Sequence, residues 1–382
     1  MIELGAEDEA RVGWVRDLDH FVRQNFQIDI LDFDLLEGLV TSPTPAGDET
    51  AEKLLIRGRE LIASAGDEPL IAKKLDGHLA VLEALLGQVS ALEPHLQRTQ
   101  AIDLRRISSS SIEKLRHRAE VAAETCGVSL NHLAIADNPF DEPMVTDRAE
   151  IQTQFAQRFE VFRAQIEQLI GRPLEFEIEI SFVDIDQYWR FWVDGVGTRF
   201  RLRFNRFKDG FTPSQIDQFV LHELVAHCGQ ATGWRHQIAS GTLNPIHGLT
   251  AIHTWEQSHL EGLAQAIPLF LHDNISDELR ARVLKDALRQ ALLNNAYIAA
   301  EDGQSPEAVF AACHEVLPIK KPLRFFKSLG DQKRHAQLRS YMFAYPDGVL
   351  ALIDRLDNDT SEPNEFLKRS FERPFLPSEL RS

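Results

Sequence analysis

His222-Glu223-Leu224-Val225-Ala226-His227 and, further along, Glu261-Gly262-Leu263-Ala264 bring together the residue types that zinc-dependent hydrolysis requires. That chemistry needs two neutral imidazoles and a third protein ligand on Zn²⁺, an open fourth position for water, and a carboxylate that takes the water's proton. His222, His227 and Glu261 can fill the ligand positions and Glu223 that of the base. The spacing at first counts against them. In an H-E-x-x-H helix the histidines sit at i and i+4, about 40° apart around the axis. His222 and His227 sit at i and i+5, which in an undistorted helix separates them by about 140°. A turn widened to about 4.4 residues rotates about 82° per residue and brings five residues back to within about 50°. A π-type turn or a premature helix end between His222 and His227 is therefore expected, with both ring nitrogens about 2.0–2.1 Å from one ion. An undistorted α-helix through this segment would exclude the site.

The flanking sequence supplies the helix. Thr212-Pro213-Ser214-Gln215 has the form of a capping box with proline at the first helical position, and Ile216, Phe219, Val220 and Leu224 make an apolar face. Gly229 is expected to end it, since glycine commonly supplies a left-handed terminal residue. Thr254-Trp255-Glu256-Gln257 reads as the start of a second capped helix, with Glu261 beside its stripe of Leu260, Leu263, Ala264 and Ile267. Gly262, having no Cβ, would let this backbone come close to the metal helix. Seven of the 14 histidines (222, 227, 236, 247, 253, 259 and 272) lie in this part of the chain. His253, Glu256 and His259 thus compete with Glu261 as third ligand, and a solvated helix glutamate is the plain alternative for Glu261.

A helix carrying His-Glu-x-x-x-His, followed by Glu-Gly-Leu-Ala, resembles the microtubule-associated tyrosine carboxypeptidase family and its bacterial relatives named for a Gln-Glu-Gly-Leu-Ala motif. The resemblance covers residues 150 to 350. It implies one Zn²⁺ per chain held by His222, His227 and Glu261, with Glu223 as catalytic base. Leu260 stands where the bacterial motif has Gln, a departure that bears on substrate preference and not on the ligands. Tyr345 to Gly348 resembles a late Tyr-x-x-Gly segment of the family. Tyr345, or the nearby Arg339, would there stabilise an oxyanion or bind a terminal carboxylate. A buried tyrosine with a hydrogen-bonded hydroxyl is the structural alternative.

Around these residues the chain reads as α+β and mostly helical: a gluzincin-like metallopeptidase core with a small antiparallel sheet before the metal-binding helix. Residues 1–145 form a helical region, with helices over Ala10 to Phe26, Asp48 to Ala65, Leu75 to Leu92 and Ser111 to Cys126, broken at Pro43, Pro45 and Gly47. Its histidines (20, 78, 95, 117 and 132) are scattered and read as surface or internally satisfied. A loop from Asp137 to Pro143 leads to a metallopeptidase domain over 146–357, and 358–382 reads as a surface tail. Within the domain, Arg148 to Ile170 is a long helix, Leu174 to Ile180 alternates as a strand, and Tyr188 to Phe204 reads as a hairpin turning at Asp194-Gly195. Arg199, Arg201 and Arg203 share one strand face, either pairing with Glu175, Glu177 and Glu179 or offering one cation to a substrate carboxylate. Helices follow over Ser276 to Ala300 and Pro306 to Val316, then from Lys333 to a break at Pro346.

With 382 residues, 43% of them hydrophobic, the chain can bury a large core. A net charge of −17 argues against nucleic acid or anionic membrane as partner. Cys126, Cys228 and Cys313 make no disulfide framework. No apolar run has membrane-helix length, and the acidic start is unlike a signal peptide, so the cytoplasm is expected. The expected activity is that of a zinc-dependent metallopeptidase acting on a peptide or protein C-terminus, a carboxypeptidase by resemblance. A zinc endopeptidase, or a non-catalytic regulatory protein that keeps the fold, are the alternatives.

Overall fold

The computed structural model describes residues 2–40, 49–88, 90–185, 189–207, 210–271, 274–358 and 363–382. The expectations placed on Pro43, Pro45, Gly47, Tyr188 and His272 lie outside them. The first part is helical: α1 (Ala6–Phe26), α2 (Ala51–Ser64), α3 (Pro69–Leu85), α4 (Leu92–Gln100), α5 (Ser109–Thr125) and α6 (Leu130–Ile135), with a two-residue strand β1 (Phe33–Asp34) after α1. The helix expected over Leu75 to Leu92 starts earlier, at Pro69, and ends at Leu85, with α4 beginning only at Leu92. Gly87, with φ +85°, separates them. Buried residues of α4, α5 and α6 belong to the same core as the rest of the chain, whereas α1 to α3 build a second core with Ile238, Ile246, Leu249 and Ala251. The two cores therefore do not divide at residue 145.

Next come α7 (Arg148–Ile170) and the strands β2 (Glu177–Val183), β3 (Phe191–Val196) and β4 (Arg199–Asn205). β3 and β4 form the expected antiparallel hairpin, but it turns at Gly197-Thr198, with Asp194 and Gly195 paired inside β3, and its second strand lies beside β2 in a parallel pair. With β1 and β5 (Leu249–Thr250) the sheet has the order β2-β4-β3-β1-β5 and is mixed, a correction to the antiparallel expectation. Alternation along β4 buries Phe200, Leu202 and Phe204 and turns the arginines outward. Phe204 meets Phe155 of α7 with ring centroids 5.5 Å apart. The arginines find nearer partners than the β2 glutamates: Arg199 pairs with Glu37 at 2.9 Å, and Arg201 and Arg203 both pair with Asp194.

The remaining elements are α8 (Pro213–Phe219), a π-helix (Val220–Cys228), α9 (Gly229–Ala239), α10 (Gln257–Phe270), α11 (Asp277–Glu301), α12 (Pro306–Val316), α13 (Pro322–Arg334), α14 (Leu338–Asn358), α15 (Pro363–Ser370) and α16 (Pro377–Leu380). Among the described residues no helix is long and apolar enough to cross a membrane. Gly229 does not end the helix that carries His222 and His227; it continues at φ −65° into α9. Gly229 serves close packing instead, because a Cβ there would sit 2.7 Å from the Phe371 ring. That ring belongs to the segment expected as a surface tail. Phe366, Leu367, Phe371, Phe375 and Leu380 are buried, and Gln230 and Trp234 donate to the Ser370 carbonyl oxygen at 3.4 and 3.2 Å. α10 starts at Gln257 with no side-chain cap, because the Thr254 hydroxyl donates to the Ala251 carbonyl.

α14 runs through Pro346 where a break was expected. Pro346 forfeits one backbone hydrogen bond, and packing nearby compensates. The close approach foreseen for Gly262 is made to α14 and not to the metal helix: a Cβ on Gly262 would lie 2.6 Å from the Gly348 Cα. The two helices thus cross backbone against backbone. Gly262→Ala should force them apart and lower stability by about 1–3 kcal/mol. Gly13→Ala, where nothing lies within 4 Å, should instead be neutral or stabilising. Thermal melts of both variants check this; equal melting temperatures would contradict it.

Candidate metal centre

The segment that carries His222 and His227 starts from a helix whose N-terminus is fixed in both arms of its capping box, Thr212 accepting from Gln215 N and the Gln215 side chain accepting from Thr212 N. α8 then passes directly into the π-helix. Leu221, Leu224, Val225 and Ala226 are fully buried, so the widened turn is held from outside by packing. The widening does what the i, i+5 spacing demands. The Nε2 atoms of His222 and His227 come 3.3 Å apart, with the rings nearly perpendicular at 85°.

α10 brings Glu261 to the same point, its Oε2 lying 3.6 Å from His222 Nε2 and 3.8 Å from His227 Nε2. Donors at about 2.0–2.1 Å from Zn²⁺ and at tetrahedral angles lie about 3.3–3.4 Å from one another. The three atoms therefore approximate one face of a zinc tetrahedron. Glu261 Oε2 is buried and accepts no hydrogen bond, an orphaned acceptor aimed at the two imidazoles. The donor set and this orphan fit a zinc ion. Glu223 Oε1 is 4.0 Å from His222 Nε2, and the ligand atoms of His222, Glu223 and His227 all lie within 4.8 Å of one another, so Glu223 also borders the position an ion would take. His222 also donates to the backbone carbonyl of Ala264, so the helix that carries Glu261 orients the first imidazole too.

Burial dominates the electrostatics. It pushes His222 down to about 4, and His227 well below its usual value, so both rings are neutral, the form that binds metal. It pushes Glu223 up to about 8, with the neighbouring charge of Glu261 adding to the rise. Glu261 is raised to about 7 by burial, against the lowering effect of hydrogen bonds from Tyr341 and Tyr345. Two carboxyls and two imidazoles all disfavoured in their charged forms make a cluster that a divalent cation would relieve.

The other candidates are occupied elsewhere. His253 Nε2 bonds His78 Nδ1 at 2.9 Å, and His259 Nδ1 accepts from Phe375 N at 3.2 Å. Neither adds a third ligand to the cluster. Arg339, placed by its sequence position near the oxyanion, donates instead to the Ser90 carbonyl at 2.7 Å and to Glu301 at 2.9 Å. Tyr345 does reach the site, through a residue that sequence reasoning missed. Tyr341, one turn earlier on α14, donates to Glu261 Oε1, and its oxygen is 2.6 Å from that of Tyr345. The i, i+4 pair of tyrosines was the available signal.

Glu256 is a fully buried ion-pair partner, 2.7 Å from Lys74 Nζ of α3 and 3.1 Å from His247 Nδ1. Burial alone would raise its carboxyl; Lys74 and His247 outweigh that and hold it well below the usual carboxylate range. The pair pins the N-terminal helices to the start of α10. Lys74→Met should cost about 3–5 kcal/mol by stranding a buried carboxylate, and Lys74→Met/Glu256→Gln should recover part of it. Denaturant melts decide: a loss under about 1 kcal/mol for Lys74→Met would show that the pair bears little of the fold's stability.

No family model matches this chain, and no curated protein matches it. Among solved structures, it is similar to a candidate lipoprotein from Colwellia psychrerythraea, at TM-score 0.53 and 13% identity, over 87% of this chain and 66% of that one. This chain thus spans just under two thirds of that structure, and the likeness is one of fold. A carboxypeptidase from Pyrococcus furiosus aligns over 96% of this chain and 90% of its own at 11% identity, with a TM-score of only 0.40. Neither extends the family resemblance beyond the motif residues.

Proposed function

We propose that this chain is a zinc-dependent metallopeptidase and, by its motif, a carboxypeptidase acting on a peptide or protein C-terminus. One observation carries the reading: a π-helix brings His222 and His227 Nε2 to 3.3 Å, with the unpaired Glu261 Oε2 at 3.6 and 3.8 Å. His222, His227 and Glu261 would hold the ion. Bound there, Zn²⁺ supplies a Lewis acid and lowers the pKa of its water from about 15.7 toward about 7. Glu223, raised to about 8, exchanges protons near neutrality. Its carboxylate oxygen takes the proton of the attacking water and returns it to the leaving amine. The Tyr345 hydroxyl is the group on α14 positioned to meet developing negative charge. Burial of Glu223, His227 and Glu261 excludes bulk water, which strengthens these interactions.

Metal analysis of the purified chain should find about one zinc per copy. A screen of peptides with free and amidated C-termini then separates the activities. A carboxypeptidase loses the amidated substrates, because a cation that binds the terminal carboxylate is left unpaired. Equal cleavage of both sets would make the chain an endopeptidase. The same burial also favours a second reading, a non-catalytic regulator. Zinc-loaded chain inactive on every peptide in the screen would support it.

A further inference from the structure

Glu261 has two oxygens, and only one faces the histidines. Oε1 accepts from the Tyr341 hydroxyl, while Oε2 accepts from no group and points at His222 and His227. Tyr341 and Tyr345 lie one turn apart on one face of α14, with ring centroids 5.0 Å apart. They reach Glu261 because α10 and α14 touch at Gly262 and Gly348, the residue after Glu261 and the third after Tyr345. A phenol has a single proton to donate. Tyr341 gives its proton to Glu261, which leaves the 2.6 Å contact between the two hydroxyls to Tyr345, whose own hydroxyl also comes within hydrogen-bonding reach of the Glu261 carboxyl.

We propose that Tyr341 is the positioning residue of the metal centre: by clamping Oε1 of Glu261 it fixes Oε2 as the single oxygen offered to the ion. This rests on the zinc reading above and deepens it. An unclamped carboxylate can rotate and bind through either oxygen or through both. A clamped one binds through one oxygen and leaves the fourth position open for water. The two tyrosines have different work. Tyr341, which donates to Oε1, sets the ligand. Tyr345, one turn further along, can turn its proton to a substrate oxygen while Tyr341 keeps the clamp.

The test is zinc titration of the full-length chain against a fluorescent chelator, for wild type, Tyr341→Phe and Tyr345→Phe. Tyr341→Phe should bind zinc about 10–100-fold more weakly, the usual effect of losing a partner of a metal ligand. Tyr345→Phe should stay within about threefold of wild type. The cobalt-substituted proteins add a readout that a purely structural tyrosine would not move. The visible band of Tyr341→Phe should shift and weaken as Glu261 becomes bidentate, while that of Tyr345→Phe should match wild type. Wild-type affinity and an unshifted cobalt band in Tyr341→Phe would overturn the proposal while leaving the zinc reading intact. Equal weakening in both variants would also overturn it, because the clamp would not belong to Tyr341. Wild-type protein that binds no zinc would instead overturn the reading beneath.

Discussion

Glu223→Gln is expected to keep about one zinc per chain and to lose turnover by roughly 10²–10⁴-fold, the usual contribution of a positioned general base. The amide has nearly the same volume and keeps one acceptor oxygen, so the packing around position 223 survives. It loses the ability to take a proton, the role assigned to the Glu223 carboxylate. With His222, His227 and Glu261 as its ligands, the metal should be indifferent to the change. Zinc content and peptide turnover measured on the same preparation check this. Loss of zinc together with activity would make Glu223 a ligand.

Glu261→Ala should have the opposite pattern, with zinc affinity falling more than about 100-fold, beyond the range expected for an outer-shell change. It removes the only carboxylate oxygen within 4 Å of both imidazoles among the described residues, at 3.6 and 3.8 Å. It also deprives the Tyr341 hydroxyl of its acceptor. The apoprotein should nevertheless fold, because a buried carboxyl raised to about 7 adds nothing to stability near neutral pH. Its folded value lies above the unfolded one, so its favourable contribution is complete below about 4.3 and is lost as pH rises through about 7. Metal-free Glu261→Ala should therefore lose no charge-related stability at pH 8, and its melting point should fall only by what the cavity and the Tyr341 hydroxyl left without its acceptor cost, about 1–3 kcal/mol. Full zinc occupancy in this variant would remove Glu261 from the ligand set.

How much was legible in the sequence depended on whether the signal was local. The i, i+5 histidines demanded a widened turn because two side chains must meet one point, and the π-helix lies on Val220–Cys228. The capping box at Thr212 and the long α7 are equally local, and both are present as read. What failed depended on partners distant in sequence. Strand periodicity buried the right face of β4 but says nothing about which strand lies beside it, so β2 came out parallel. Glycine at 262 announced a close approach without naming the helix, and Gly348 of α14 answers it. The expected break at Pro346 is absent, and α14 runs through it. Lys74 and Glu256 stand 182 residues apart, and no spacing rule links them. Arg339 was placed at the site because of its neighbours in sequence, yet its side chain is held by Glu301 and Ser90. The hydroxyl that does touch Glu261 comes from Tyr341, two residues further along.

The central claim is that one ion sits between His222, His227 and Glu261 on a widened helix. An anomalous difference map from crystals of the zinc-loaded chain, collected at the zinc absorption edge, tests it most directly. The account predicts one strong peak per chain, about 2.0–2.2 Å from Nε2 of His222, Nε2 of His227 and Oε2 of Glu261, with Glu223 outside bonding distance. A peak elsewhere, or none at this cluster in protein shown to be zinc-loaded, would contradict it.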